Sequence, residues 1–129
     1  MSAVSVEATS EDSMVAVSRG KRISFKIPEQ NQESTTMMPP EVFLSSLGFC
    51  IGIYVKRYCT KNNIPFKGLK VIVHSKSGFE PSRIAKIDSQ MEMPEPLSAE
   101  QRDGVLNAAT KCYLSNTLSQ PPQISFQLR

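Results

Sequence analysis

The stretch EVFLSSLGFCIGIYV, Glu41 to Val55, is the most apolar part of the chain, and its reading decides how the rest is arranged. Pro39 and Pro40 stand just before it. Proline is pre-organised for a first helical turn, and Glu41 in that turn complements the positive end of the helix dipole, so a helix starts here. It is expected to run to Asn62 or Asn63, where NNIPFKG supplies C-terminal asparagines and Pro65 supplies the stop. Along it Phe43, Leu47, Cys50, Ile51, Tyr54 and Tyr58 recur at helical spacing and form one core-facing stripe. Leu44, Ile53 and Val55 fall on other sides. A helix that is apolar nearly all round needs cover on more than one face, from its own sheet and, as one candidate, from a second subunit.

Working outward, residues 1–28 read as a three-stranded meander. AVSVEA alternates, SMVAVS follows a polar turn, and RISFKI puts Ile23, Phe25 and Ile27 on one face. Gly20, in RGKR, can take the positive φ that a compact turn requires. Residues 29–38 are polar and aperiodic, a connecting loop. Beyond the long helix, GLKVIVHSKSG and SRIAKIDSQMEM read as two strands joined by the turn GFEP, with Leu69, Val71 and Val73 facing one way on the first and Ala85, Ile87, Ser89 and Met91 on the second. Ser98 with Gln101 three residues on is a capping box, opening a helix that carries Val105, Ala108, Ala109 and Cys112. A short helix follows Cys112, and QISFQL closes the chain as a strand with Ile124, Phe126 and Leu128 on one face. The order βββ-α-ββ-α-β argues an α+β fold, a mostly antiparallel sheet packed with a long central helix and a second helix. At 129 residues one domain is expected, residues 39–129 forming its core.

Composition narrows the function. A net charge of +3 is a mild excess of base, and the lysines and arginines are scattered among six Phe, three Tyr and no Trp. Nucleic-acid binders collect base on one stripe and add stacking aromatics, so no nucleic-acid partner is expected. The N-terminal residues lack a charged head followed by an apolar run, and the long helix reads as too interrupted by Ser, Gly and Lys to span a bilayer. A cytoplasmic protein with no membrane partner is the expectation. There the cysteines Cys50, Cys59 and Cys112 are free, catalytic or metal-bound rather than a disulfide framework.

His74 is the single histidine and no CxxC exists, so no metal site is expected. The same histidine count removes a Ser/His/Asp triad, and no glycine-rich phosphate loop is present, so no cofactor is expected. The thiols remain. Cys50 and Cys59, nine residues apart, lie on opposite faces of one helix at about 100° per residue. Cys50 and Cys112 sit on the apolar faces of separate helices that could pack together and cycle between dithiol and disulfide. Buried, unreactive core cysteines are the competing reading. Phe49 and Tyr54 could line a substrate pocket, or be core.

PPEVFLSSLGFC, ending at Cys50, resembles the stretch that opens the central helix of the OsmC family of thiol peroxidases and hydroperoxide-resistance proteins. KCYLSNTLSQPPQISFQL, Lys111 to Leu128, resembles that family's second signature. The resemblance implies an intertwined homodimer that reduces organic hydroperoxides in stress defence. Cys50 would be the peroxidatic thiolate, oxidised to a sulfenic acid, and Cys112 would condense with it to a disulfide that a dithiol reductant resolves. A family arginine, held by a glutamate at the position of Glu41, depresses the pKa of the thiolate. The first strand turn here, TSEDS, carries no arginine, which leaves Arg19 and Arg22 of the next turn as candidates. The alternative is a non-enzymatic OsmC-like dimer, a binding or redox-sensing protein with retained buried cysteines.

Overall fold

A computed structural model describes residues 3–129; residues 1 and 2, where the expected meander and domain begin, lie outside the described residues. The chain divides into two compact units, Met1–Val42 and Phe43–Arg129.

In the first unit the strands β1 (Ser5–Ala8), β2 (Ser13–Ser18) and β3 (Lys21–Lys26) form an antiparallel sheet in the order β1-β2-β3. Ser18 pairs with Lys21, leaving Arg19 and Gly20 as a two-residue loop. Both take positive φ, 51° and 75°, the twist that a tight hairpin demands. The loop after β3 folds back on it. The Lys26 amide donates to Thr36 Oγ1 at 3.1 Å, and the Ser34 hydroxyl donates to the Lys26 carbonyl at 3.3 Å.

Helix α1 (Pro39–Lys61) starts in this unit and runs on through the second. Its end is a Schellman turn. Asn63 takes φ 56°, the Ile64 amide donates to the Cys59 carbonyl at 2.9 Å, and Ile64 is buried against the core.

The second unit adds an antiparallel pair, β4 (Lys70–Gly78) and β5 (Arg83–Glu92), then α2 (Ala99–Thr110) and α3 (Tyr113–Ser119). Lys76 pairs with Lys86 and Ser77 with Ile84, so Ala85 is an extra residue in the ladder. That bulge breaks the alternation expected of β5. Ile84, Ile87 and Met91 are its half-buried residues, and Ala85 is exposed. The capping box forms: Ser98 Oγ accepts from the Gln101 amide at 3.1 Å, and the Gln101 side chain accepts from the Ser98 amide at 2.9 Å.

The core is Leu47, Ile51, Val55, Cys59, Ile64, Val105 and Cys112. Helix α1 lies between two layers. Gly48 and Gly52 face Val73 and Val71 of β4 on one side, and Tyr58 packs onto Gly104 of α2 on the other. Val55, expected on another side, is therefore at the centre of the buried stripe and fully buried. Phe43, Phe49 and Ile53 are exposed.

Three further expectations are corrected. Among the described residues the strands form two sheets in place of one. Residues 120–129 form no strand, and Ile124, Phe126 and Leu128 are 76%, 92% and 99% exposed, because none of the described strands pairs with them. Helix α1 is also long and apolar enough to cross a membrane by length and composition, although its apolar stripe packs as a core helix does. The fold class stands as α+β.

Candidate functional site

Cys50 and Cys112 meet in the second unit. On α1, taking about 100° per residue, Cys50 and Cys59 flank the Leu47, Ile51 and Val55 stripe on opposite sides. Cys50 turns toward the C-terminal helices and is half-buried. Cys59, on the other flank, is fully buried and belongs to the core.

Cys112 is placed differently from the sequence expectation. Helix α2 ends at Thr110, so Cys112 does not ride on its face. Lys111 closes α2, its amide donating to the Ala108 carbonyl at 3.1 Å, and Cys112 is the N-cap of α3 with extended backbone (φ −59°, ψ 135°). Its carbonyl accepts from the Asn116 amide at 3.0 Å. Two helices thus fix the backbone that carries this thiol, and the residue is fully buried.

The two thiols influence each other's ionisation. Burial pushes the Cys50 thiol up, and the neighbouring Cys112 pushes it further, against the pull of the Leu114 and Tyr113 amides. Burial also acts upward on Cys112. There it is outweighed by the Cys50 thiol, the Ser115 amide and hydroxyl, and the Leu114 amide, so Cys112 is the more acidic partner. As a neutral thiol Cys112 makes no capping hydrogen bond. The amides of the first turn of α3 favour it once it is charged. Cys59 is raised by burial alone, as an inert core thiol is.

Such a pair can do one thing well. Neighbouring thiols with one favoured as thiolate can cycle between dithiol and disulfide.

The other candidates lie elsewhere. Arg19 in the β2–β3 turn and Arg22 on β3 are exposed residues of the first unit. Glu41 belongs to the same unit and performs a local task, its Oε1 accepting from the Met38 amide at 2.8 Å at the start of α1. Tyr54 packs against the core with the Arg57 guanidinium 5.6 Å from its ring centre, and Phe49 is 75% exposed. Among the described residues no group of three or more His, Cys, Asp and Glu side chains could hold a metal. His74 is exposed on β4, opposite Asp88 of β5.

Ser115 escaped the sequence reading. The signal was present in the three-residue step from Cys112, the spacing between a helix cap and the amide it faces. It becomes meaningful only once the end of α2 is known.

Comparison with known proteins finds a match to the family described as OsmC-like protein over residues 30–127. No curated protein matches the sequence. Among solved structures, an OsmC like protein from Mycoplasma pneumoniae is similar at 18% identity, covering 94% of this chain and 89% of that one, with a TM-score of 0.77. An organic hydroperoxide resistance protein from Elizabethkingia anophelis is similar at 14% identity, covering 92% and 89%, with a TM-score of 0.69. The organic hydroperoxide resistance protein OhrB of Bacillus subtilis is similar at 18% identity, covering 94% and 92%, with a TM-score of 0.61. At these identities the likeness is one of fold.

Proposed function

The chain belongs to the OsmC-like protein family, and from that premise we propose that it is a thiol-dependent peroxidase that reduces organic hydroperoxides in oxidative or osmotic stress defence. The observation that carries this reading is the meeting of Cys50 and Cys112 at the first turn of α3. Cys50 is the more accessible thiol and takes the peroxide. Its thiolate attacks the O–O bond, the alkoxide leaves and is protonated to the alcohol, and Cys50 becomes a sulfenic acid. The Cys112 thiolate then attacks that sulfur and expels hydroxide, which leaves as water after protonation. The resulting disulfide is reduced by a dithiol. No cofactor enters these steps.

Cys112 is suited to its part because its thiolate is favoured where it stands. Cys50 needs a cation to ionise, since burial and Cys112 both act against its charge. The family resemblance assigns Glu41 to holding an arginine for that task, and Arg19 or Arg22 would stand in for that arginine. The chain acts as one domain and as a homodimer in the cytoplasm. The exposed apolar residues Phe49, Ile53, Ile124, Phe126 and Leu128 support a second copy as cover.

The test mixes reduced protein with cumene hydroperoxide and a dithiol reductant. Peroxide consumption well above that of a Cys50→Ser variant is expected; equal rates would refute the enzyme. The raised Cys50 thiol also favours a second reading, a non-enzymatic OsmC-like protein that retains buried cysteines. Mild peroxide treatment would then leave no Cys50–Cys112 disulfide detectable by mass spectrometry.

A further inference from the structure

The exposed side of α1 changes character along its length. Phe43, Phe49 and Ile53 are apolar, and beyond them Lys56, Arg57, Thr60 and Lys61 occupy the same side over the last two turns. Ile53 and these four residues line a groove of about 420 Å³, a size that suits a small molecule.

Three features set this group apart from a solvated basic surface. None of its cations pairs with a carboxylate among the described residues, where the ion pairs join Lys26 to Asp12 and Lys86 to Asp88. Arg57 and Lys61, four residues apart, repel each other along the helix until something neutralises them. Two of the cations are held over rings: Lys56 Nζ lies 5.5 Å from the centre of Phe66, and the Arg57 guanidinium carbon 5.6 Å from that of Tyr54. A cation on a ring face keeps its charge and has less side-chain freedom left to lose when an anion binds. Thr60 completes the group. Thr110 and Thr117 return their hydroxyls to helix carbonyls three and four residues back, whereas Thr60 donates to no group among the described residues. Lys61, in the last turn, also complements the dipole of α1. Lys56 and Arg57 stand before that turn, and the dipole does not account for them.

We propose that this groove binds a small organic phosphate, its phosphoryl group among Lys56, Arg57, Thr60 and Lys61 and its organic part toward Ile53. The site is independent of the peroxidase reading. Three cations select phosphate over carboxylate. A phosphate monoester carries about −1.5 to −2 charge near neutral pH, and its three terminal oxygens can accept the Arg57 fork, the ammonium groups and the Thr60 hydroxyl together. A soluble ester also fits better than a membrane surface. Electrostatic attachment to a bilayer draws on clusters of about four to eight basic residues, and this groove has only Lys56, Arg57 and Lys61.

The test is isothermal titration calorimetry of the full chain at low ionic strength with phenyl phosphate, inorganic phosphate and benzoate. Phenyl phosphate is expected to bind most tightly and benzoate least, with affinity falling as salt is added. Lys56→Gln and Arg57→Gln should each weaken phenyl phosphate about tenfold. Arg57→Lys should recover only part of the loss, because an ammonium lacks the fork. Lys76→Gln removes an exposed charge from β4 and should change nothing. The substituted residues are exposed, and circular dichroism checks that each variant keeps the fold. Benzoate binding as tightly as phenyl phosphate, or an equal loss in Lys76→Gln, would overturn the proposal, the second by reducing it to net charge. So would a wild type that binds phosphatidylglycerol vesicles but no phenyl phosphate. Absence of phenyl phosphate binding together with a smaller species for Arg57→Gln in light scattering would also overturn it, by assigning the cations to contact with a second copy.

Discussion

Tyr58 of α1 fills the space beside Gly104 of α2 that any larger residue would need, its hydroxyl and ring standing where a Cβ would be. The contact sets how closely the two helices approach. Gly104→Ala would add about 1 kcal/mol of helix propensity, but overpacking at a contact this close costs about 1–3 kcal/mol or more. The expected outcome is a lower melting temperature. In a double-mutant cycle by thermal unfolding, Tyr58→Leu should cost less in the Gly104→Ala background than in the wild type, and strict additivity would contradict the contact.

Cys112→Ser leaves Cys50 able to react and removes the thiol that condenses with it. Under the proposed mechanism this variant consumes one equivalent of cumene hydroperoxide and then stops in the absence of small thiols. A dimedone adduct on Cys50, detected by mass spectrometry, marks the stalled sulfenic acid. Continued turnover at the wild-type rate would show that Cys112 does not resolve it.

Cys59 gives the fold a pH dependence. Its pKa in the folded state is raised by burial, so the folded protein holds a proton that the unfolded chain releases first. The contribution is therefore complete below the ordinary thiol pKa and is lost as pH rises toward the raised value. Stability measured by urea unfolding should fall across that alkaline window, and Cys59→Val should flatten the fall.

The Ser98 capping box satisfies two backbone amides at the start of α2. Ser98→Ala should cost about 1 kcal/mol. Ser98→Asp should retain most of the stability, because an aspartate also accepts from the Gln101 amide and complements the helix dipole. Chemical denaturation of the three proteins checks the order.

Residues 123–129 carry three exposed apolar side chains and no backbone ladder. If the protein is a homodimer covered through this segment, its deletion should leave the circular dichroism nearly unchanged while light scattering reports a smaller species. An unchanged molar mass would remove the segment from the interface.

Much of this was legible in the chain. The Pro39–Pro40–Glu41 start, the Asn–Pro stop, the Arg19–Gly20 turn and the Ser98/Gln101 box each act through bonds within a few residues, and α1, the β2–β3 hairpin and the start of α2 follow from them. The resemblance carried by Cys50 and Cys112 pointed to the family by the same short-range signals.

What local pattern leaves open was decided by tertiary contacts. Val55 is central to the core because β4 packs on the Gly48 and Gly52 side of α1, and helical spacing does not say which side a sheet will take. Ala85 bulges because β5 must pair with β4, a register that neither strand contains alone. Cys112 leaves α2 and becomes the N-cap of α3. QISFQL has the alternation of a strand and forms none in the single chain, since a ladder needs a partner edge and alternation supplies only the side chains. Sequence periodicity, then, determined the elements of this protein, while the acidity of its thiols arose from which amides and which neighbours the folded chain brings to each sulfur.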